Sequence, residues 1–380
     1  MSPFKLPKVG TTIFTTMSRR AVELGAVNLG QGFPDFEPPA RLIELVAHHL
    51  GARHNQYAPM AGVPALLEQV AAKISRLQGV DVDPAAEITV TAGGTEAVFA
   101  AIMAVVHPGD EVVLLDPAFD CYAPAVELAG GHSVRLPLRL PDFSIDFDAL
   151  GHAITARTRL VVVNTPHNPS GALIGADEWR RLAALLEGTP ALVLSDEVYE
   201  HLVYDGRRHV SALAEPRLWP RVFAVFSFGK VFNATGWKVG YCVAPAELSA
   251  ALRRVHQFVT FSVSSPVQWA LADYLSEDPD WGERLAAFYQ ARRDRFLELL
   301  AGSRFAWTPS AGTYFQLLDY SSVSNEDDIS FCGTLLEHHR VAAIPVSHFC
   351  EHPPAARMLR FCFAKSDETL ESAAERLRGL

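Results

Sequence analysis

Lys230 and Lys238 stand eight residues apart in the stretch SFGKVFNATGWKVGY, Ser227 to Tyr241, among Phe228, Val231, Phe232, Trp237, Val239 and Tyr241. Lysine is rarely buried without a partner or a task. An amine in apolar surroundings holds its proton less firmly, and a neutral lysine is a nucleophile towards carbonyl carbon. Four other stretches offer complementary chemistry. Ala92-Gly93-Gly94-Thr95-Glu96 sets two glycines and a hydroxyl before a helix-like run. Backbone N–H groups and the helix dipole favour an anion at such a start. DPAFDCY, Asp116 to Tyr122, carries Phe119 and Tyr122, either of which could stack on a planar ring. NTPHNPSG, Asn164 to Gly171, is a turn with an excess of hydrogen-bonding groups. SDEVY puts Asp196 directly after an apolar run, where a carboxylate must be paired or hydrogen-bonded. Taken singly, each has a plain structural explanation: a helix cap, a core aromatic, a turn.

Their shared feature is position. Each follows a short β-branched or apolar run: Ile88–Thr91, Glu111–Leu115, Leu160–Val163, Ala191–Leu194 and Val222–Phe226. Helical stretches such as Glu96–Val106 and Ala176–Leu186 lie between them. The alternation predicts an α/β fold, a mostly parallel sheet sandwiched by helices, whose ligands bind beyond the carboxyl ends of the strands. Val239–Val243 follows Val222–Phe226 too closely for a helical crossover, so that strand is expected to run antiparallel. Residues 1–40, rich in Gly and Pro and weakly periodic, read as an N-terminal arm associated with the smaller domain. Residues 41–275 read as a large domain and 276–380 as a smaller α+β domain. The smaller domain is expected to hold a long helix, Trp281–Leu300, strands near Tyr314–Leu318, Val341–Ile344 and Met358–Phe363, and a last helix, Glu368–Leu380.

Bulk properties exclude several alternatives. A formal net charge of −10 and the lack of a basic patch argue against nucleic acid as a partner. No run reaches the length of a membrane span, and the first residues show no signal-peptide core. Cys121, Cys242, Cys332, Cys350 and Cys362 show neither paired nor zinc-like spacing, which suggests reduced thiols, a cytoplasmic setting and no metal.

Together the strand ends supply an anion cradle, an aromatic plate, an amide, an acid and a lysine with a second cation. Pyridoxal 5′-phosphate needs that set: a cradle for its phosphate, a carboxylate for its ring nitrogen and an amine for its aldehyde. NTPHNPSG, SDEVYEHLVYDG and SFGKVFNATGWKVGY occur in an order and at separations similar to those of fold-type I, pyridoxal-phosphate-dependent aminotransferases of class I/II. The resemblance runs over nearly the whole chain. It implies that Lys230 is the Schiff-base lysine and proton shuttle of a ping-pong transamination through a Lys230 aldimine. Lys238 would bind the phosphate, where many relatives carry Arg, with Ser227, Gly94 and Thr95 completing the cup. Asp196 would pair with the pyridinium nitrogen, Tyr199 and Asn168 would hydrogen-bond the phenolic oxygen, and Phe119 would stack on the ring. Arg360, in MLRFCFAK, would clamp the substrate carboxylate, with Gly32 beside it. Tyr57, in NQYAPMAG, would reach the phosphate of a partner subunit, which implies a homodimer with shared active sites. VNLGQGFPDF, DPAFDCYAP and FVTFSVSSP resemble the methionine and kynurenine aminotransferase branch. With Phe14, Phe33, Phe258 and Phe261 as candidate pocket walls, the resemblance points to an apolar or aromatic amino acid and a 2-oxo acid, not aspartate. β-Elimination from cysteine S-conjugates, or another pyridoxal-phosphate reaction on the same scaffold, is the alternative, with an aspartate-type aminotransferase a more distant one. A cofactor-sensing regulator would need a DNA-binding segment and a basic surface.

Overall fold

The computed structural model describes residues 4–7, 9–353 and 356–380. Its strands, in chain order, are β1 (Val27–Asn28), β2 (Ile88–Thr91), β3 (Glu111–Asp116), β4 (His132–Pro137), β5 (Thr158–Asn164), β6 (Leu192–Asp196), β7 (Val222–Ser227), β8 (Gly240–Val243), β9 (Phe315–Asp319), β10 (Val341–Ala342), β11 (Ile344–Pro345) and β12 (Met358–Cys362). Seven of them form one sheet in the order β2-β8-β7-β6-β5-β3-β4. β8 is antiparallel to both neighbours, and the other pairs are parallel. The strand after the lysine stretch therefore runs as the short connection predicts. That connection holds only a one-turn helix, Phe228–Val231, and a 3-10 turn, Thr235–Trp237.

Both sheet faces are covered, which is why the strands read as continuous apolar runs rather than alternating ones. In β3, Val112 and Leu114 join a cluster with Val98, Ile102 and Val126, while Val113 joins the other with Trp179 and Leu182. Each such side chain contributes about 1.5–3 kcal/mol by leaving water. β4, at the sheet edge, was not foreseen: its residues HSVRLP are only half-buried, so no apolar run marks it.

A second, three-stranded antiparallel sheet, β11-β12-β9, carries Arg360 on its central strand. The long helix Trp281–Leu299 and the last helix Asp367–Arg378 lie close to the expected bounds. The first forty residues hold more structure than their weak periodicity suggests. A helix spans Ile13–Leu24, capped by the Thr12 hydroxyl and by Gly25 in the left-handed region, and β1 pairs in parallel with β10. Arg20 adds an ion pair to Glu337. Among the described residues no helix is long and apolar enough to cross a membrane, and no cluster of three His, Cys, Asp or Glu could hold a metal.

Candidate active site

The carboxyl ends of β2, β5, β6 and β7 converge on a cavity of about 320 Å3. β7 ends at Ser227, and the turn that follows points Lys230 into this space. The Lys230 amine donates to Tyr314 Oη at 2.8 Å and, at the long limit of 3.4 Å, to the Gly32 carbonyl. Tyr314 Oη in turn donates to the same carbonyl at 2.6 Å. Burial lowers the Lys230 pKa to about 8, and the nearby cations Lys238 and Arg360 act in the same direction.

Lys238 sits at the other end of this wall, in the left-handed region at φ 53°. A Cβ on Gly93 would lie 3.3 Å from its Nζ, so the ammonium rests against the N-cap of the helix Gly94–Val105. Glycine is required at Gly240, where a Cβ would fall 2.6 Å from the Phe226 carbonyl and 2.9 Å from Gly93 C. That close approach draws the lysine stretch and the glycine turn together. Cation and helix N-terminus thus make a cradle for an anion.

Asp196 ends β6 with its carboxylate in the cavity wall. Desolvation raises its pKa to about 6, against the opposing hydrogen bond from Tyr122. The Tyr122 hydroxyl donates to Oδ2 at 2.5 Å, and the Val198 amide reaches Oδ1 at 3.4 Å. Asn164 Nδ2 holds the Asp196 backbone carbonyl at 2.8 Å, and its Oδ1 accepts from the Asn168 amide at 2.7 Å.

Arg360 is 1% exposed. Its Nη1 donates to Asn168 Oδ1 at 2.8 Å and its Nη2 to the Gly30 carbonyl at 2.9 Å, while Nε has no partner among the described residues. The guanidinium lies 3.9 Å from the Phe315 ring centroid, and burial lowers its pKa to about 10. Phe315 also explains Gly32: a Cβ there would meet its ring at 2.6 Å.

Gly32, Gly94, Thr95, Phe119, Asn168, Asp196, Tyr199, Ser227, Lys230, Lys238 and Arg360 all line this one cavity, with Phe14 and Phe33. Tyr57 does not: it is 83% exposed and meets Phe261 edge-on at 5.3 Å. Phe258 and Phe261 are exposed and also lie outside. A larger cavity, about 560 Å3, lies behind the Asn164–Gly171 turn, but no lysine lines it. Sequence reasoning missed Tyr314 and the hydroxyl role of Tyr122. Both contacts join distant segments and have no local pattern. The spacing of Phe119 and Tyr122 was visible, but either ring could have been the plate.

A model of the family described as aminotransferase class I and II matches residues 25–377. The chain is 50% identical over 376 residues to a methionine aminotransferase of Escherichia coli, covering 99% of this chain and 97% of that protein. It is 33% identical to human kynurenine–oxoglutarate transaminase 1, covering 94% of this chain and 93% of that one. A crystal structure of an Escherichia coli protein with methionine aminotransferase function superposes with a TM-score of 0.98, at 50% identity and full coverage of both chains. A family match over residues 25–377 and 50% identity across nearly the whole chain place this protein in the class I and II aminotransferases.

Proposed function

We propose that the enzyme moves the amino group of an apolar or aromatic L-amino acid, of the methionine, phenylalanine or kynurenine type, to a 2-oxo acid. Pyridoxal 5′-phosphate would occupy the 320 Å3 cavity. The residues fit that group: a cationic cradle whose glycine turn sits at φ +80° at Gly93 with the Lys238 ammonium against it, a carboxylate in the wall, and an amine whose proton burial has loosened. The observation that carries the reading is Lys230, facing the same cavity as Asp196, Lys238 and Arg360 with no carboxylate among its hydrogen-bond partners.

Bound there, the cofactor supplies an electron sink for charge left at the substrate Cα. The chain supplies the rest. Lys238, the amides of the helix start, Ser227 and Thr95 would neutralise and hold the phosphate. Asp196 would keep the ring nitrogen protonated, Asn168 and Tyr199 would donate to the phenolic oxygen, and Phe119 would pack against the ring. Arg360 grips the substrate carboxylate with N–H donors that its contacts to Asn168 and Gly30 leave free. The Lys230 amine then takes the Cα proton, general-base work suited to a pKa near 8. Tyr314 offers that amine a hydrogen-bond acceptor when it is free. Phe14 and Phe33 give the substrate side chain apolar walls.

The same reading takes 41–275 as the cofactor-binding unit and 276–380 with the first forty residues as a smaller one, supported by the β1–β10 pairing. It makes the enzyme a cytoplasmic homodimer in which exposed Tyr57 serves the partner's site; five free cysteines suit a reducing compartment. The test is absorbance of cofactor-loaded protein mixed with methionine, phenylalanine, kynurenine and aspartate. Loss of the visible band with the first three, and 2-oxo acid formed, is expected. A band indifferent to every amino acid contradicts the proposal.

A further inference from the structure

Asp196 is held by more than its own strand. The groups facing its carboxylate are Cys121 and Tyr122 on one side, Lys230 on another, and Glu197 and Tyr199 from its own segment. Among the described residues only Tyr122 gives the carboxylate a side-chain hydrogen bond, at 2.5 Å to Oδ2. Tyr122 is 2% exposed, in the first turn of the helix Tyr122–Ala129. Burial and the neighbouring carboxylate raise its pKa well above the ordinary value, so it stays a donor across the working range. Oδ1 has only the Val198 amide, at 3.4 Å. The backbone of the acid is fixed separately, by Asn164 Nδ2 at 2.8 Å and the Thr165 amide at 3.0 Å, both on its carbonyl.

We infer that Tyr122 is a positioning residue: it pins one oxygen of Asp196 and leaves the other turned to the cofactor's ring nitrogen. The inference rests on the pyridoxal phosphate reading above. A hydrogen bond given to a carboxylate is roughly twice as strong as a neutral one and favours the ionised form. It therefore opposes the desolvation that pushes Asp196 up to about 6. Without it the acid would hold its proton nearer neutrality and would pair less well with a protonated ring. The alternative is that Tyr122 only packs; its ring meets Phe119 edge-on at 6.0 Å. Tyr122→Phe separates the two, because it keeps the ring and removes only the hydroxyl.

The experiment is pyridoxal phosphate affinity of the apoprotein against pH, read by fluorescence, for the wild type and Y122F. The wild-type affinity falls as pH drops through about 6, the titration of Asp196. In Y122F the midpoint moves up by about one unit, so the affinity falls roughly twofold at neutrality and approaches a roughly tenfold loss below about pH 6, one pKa unit being a factor of ten. The 15N shift of ring-labelled cofactor moves towards the unprotonated form in the variant. In an Asp196→Asn background the hydroxyl deletion has no further effect, which isolates the pair from any packing loss. An unchanged midpoint in Y122F, or an equal loss in both backgrounds, overturns the inference and leaves the cofactor assignment standing. Failure of the wild type to bind the cofactor overturns the assignment itself, and the inference with it.

Discussion

Two lysines in this enzyme, Lys73 buried and Lys230 half-buried at a cavity wall, are treated in opposite ways. Lys73, 9% exposed, lies against the Glu200 carboxylate and the Tyr241 hydroxyl, with the Phe226 and Tyr241 rings 4.9 and 5.0 Å away. Burial pushes the Glu200 carboxyl up, yet Lys73 and His201 hold it below the usual range. Lys230 has a phenol and a carbonyl instead, and an open cavity in front of it. Two arginines repeat the contrast. Arg293 meets Asp205 through both terminal nitrogens at 2.7 Å, whereas Arg360 has an amide oxygen, a carbonyl and an idle Nε. Where charge is compensated inside the protein the cation serves the fold. Where it is left uncompensated it waits for a ligand, and the fold carries the cost.

The sharpest way to break the comparison is to exchange the fates of the two lysines. Lys230→Ala should lower turnover by at least about 1,000-fold, in the range lost with a general acid–base group. Its thermal stability should stay level or rise, because an amine desolvated without a counter-charge disfavours folding. Retained transamination would remove Lys230 from the chemistry. Lys73→Met should do the reverse. Stranding Glu200 costs about 3–5 kcal/mol of folding free energy in a denaturant titration, while kcat of the folded fraction holds. A Lys73 variant that is stable but inactive would erase the distinction. Arg360→Ala comes next, with roughly a 100-fold loss in kcat/KM from the missing charged hydrogen bonds to substrate. An equal loss for an amine donor without a carboxylate would show that Arg360 holds the site together instead. The smallest effect is on pH. Cofactor loading of the apoprotein should quicken as pH rises through about 8, where the Lys230 amine gives up its proton. A rate flat across that range would mean the amine is not the entering group.

The sheet was legible because both faces are buried: continuous apolar runs such as TRLVVVN leave little choice. The site was legible because its residues follow those runs, and a parallel sheet gathers its strand ends at one place. β4 escaped because an edge strand needs no apolar run, and the helix Ile13–Leu24 because only Met17 and Ala21 of it are buried. Lys73 was invisible as a buried charge, since its acid lies 127 residues away. Tyr314 was missed for the same reason: it lies 84 residues from the lysine it contacts, in the bend just before β9.

The central claim concerns one amine. Borohydride reduction of the cofactor-loaded enzyme, followed by peptide mapping, tests it directly. The account predicts the added mass on the peptide containing Lys230, with Lys73 and Lys238 unlabelled. Label on either of those lysines, or no label at all, would contradict it.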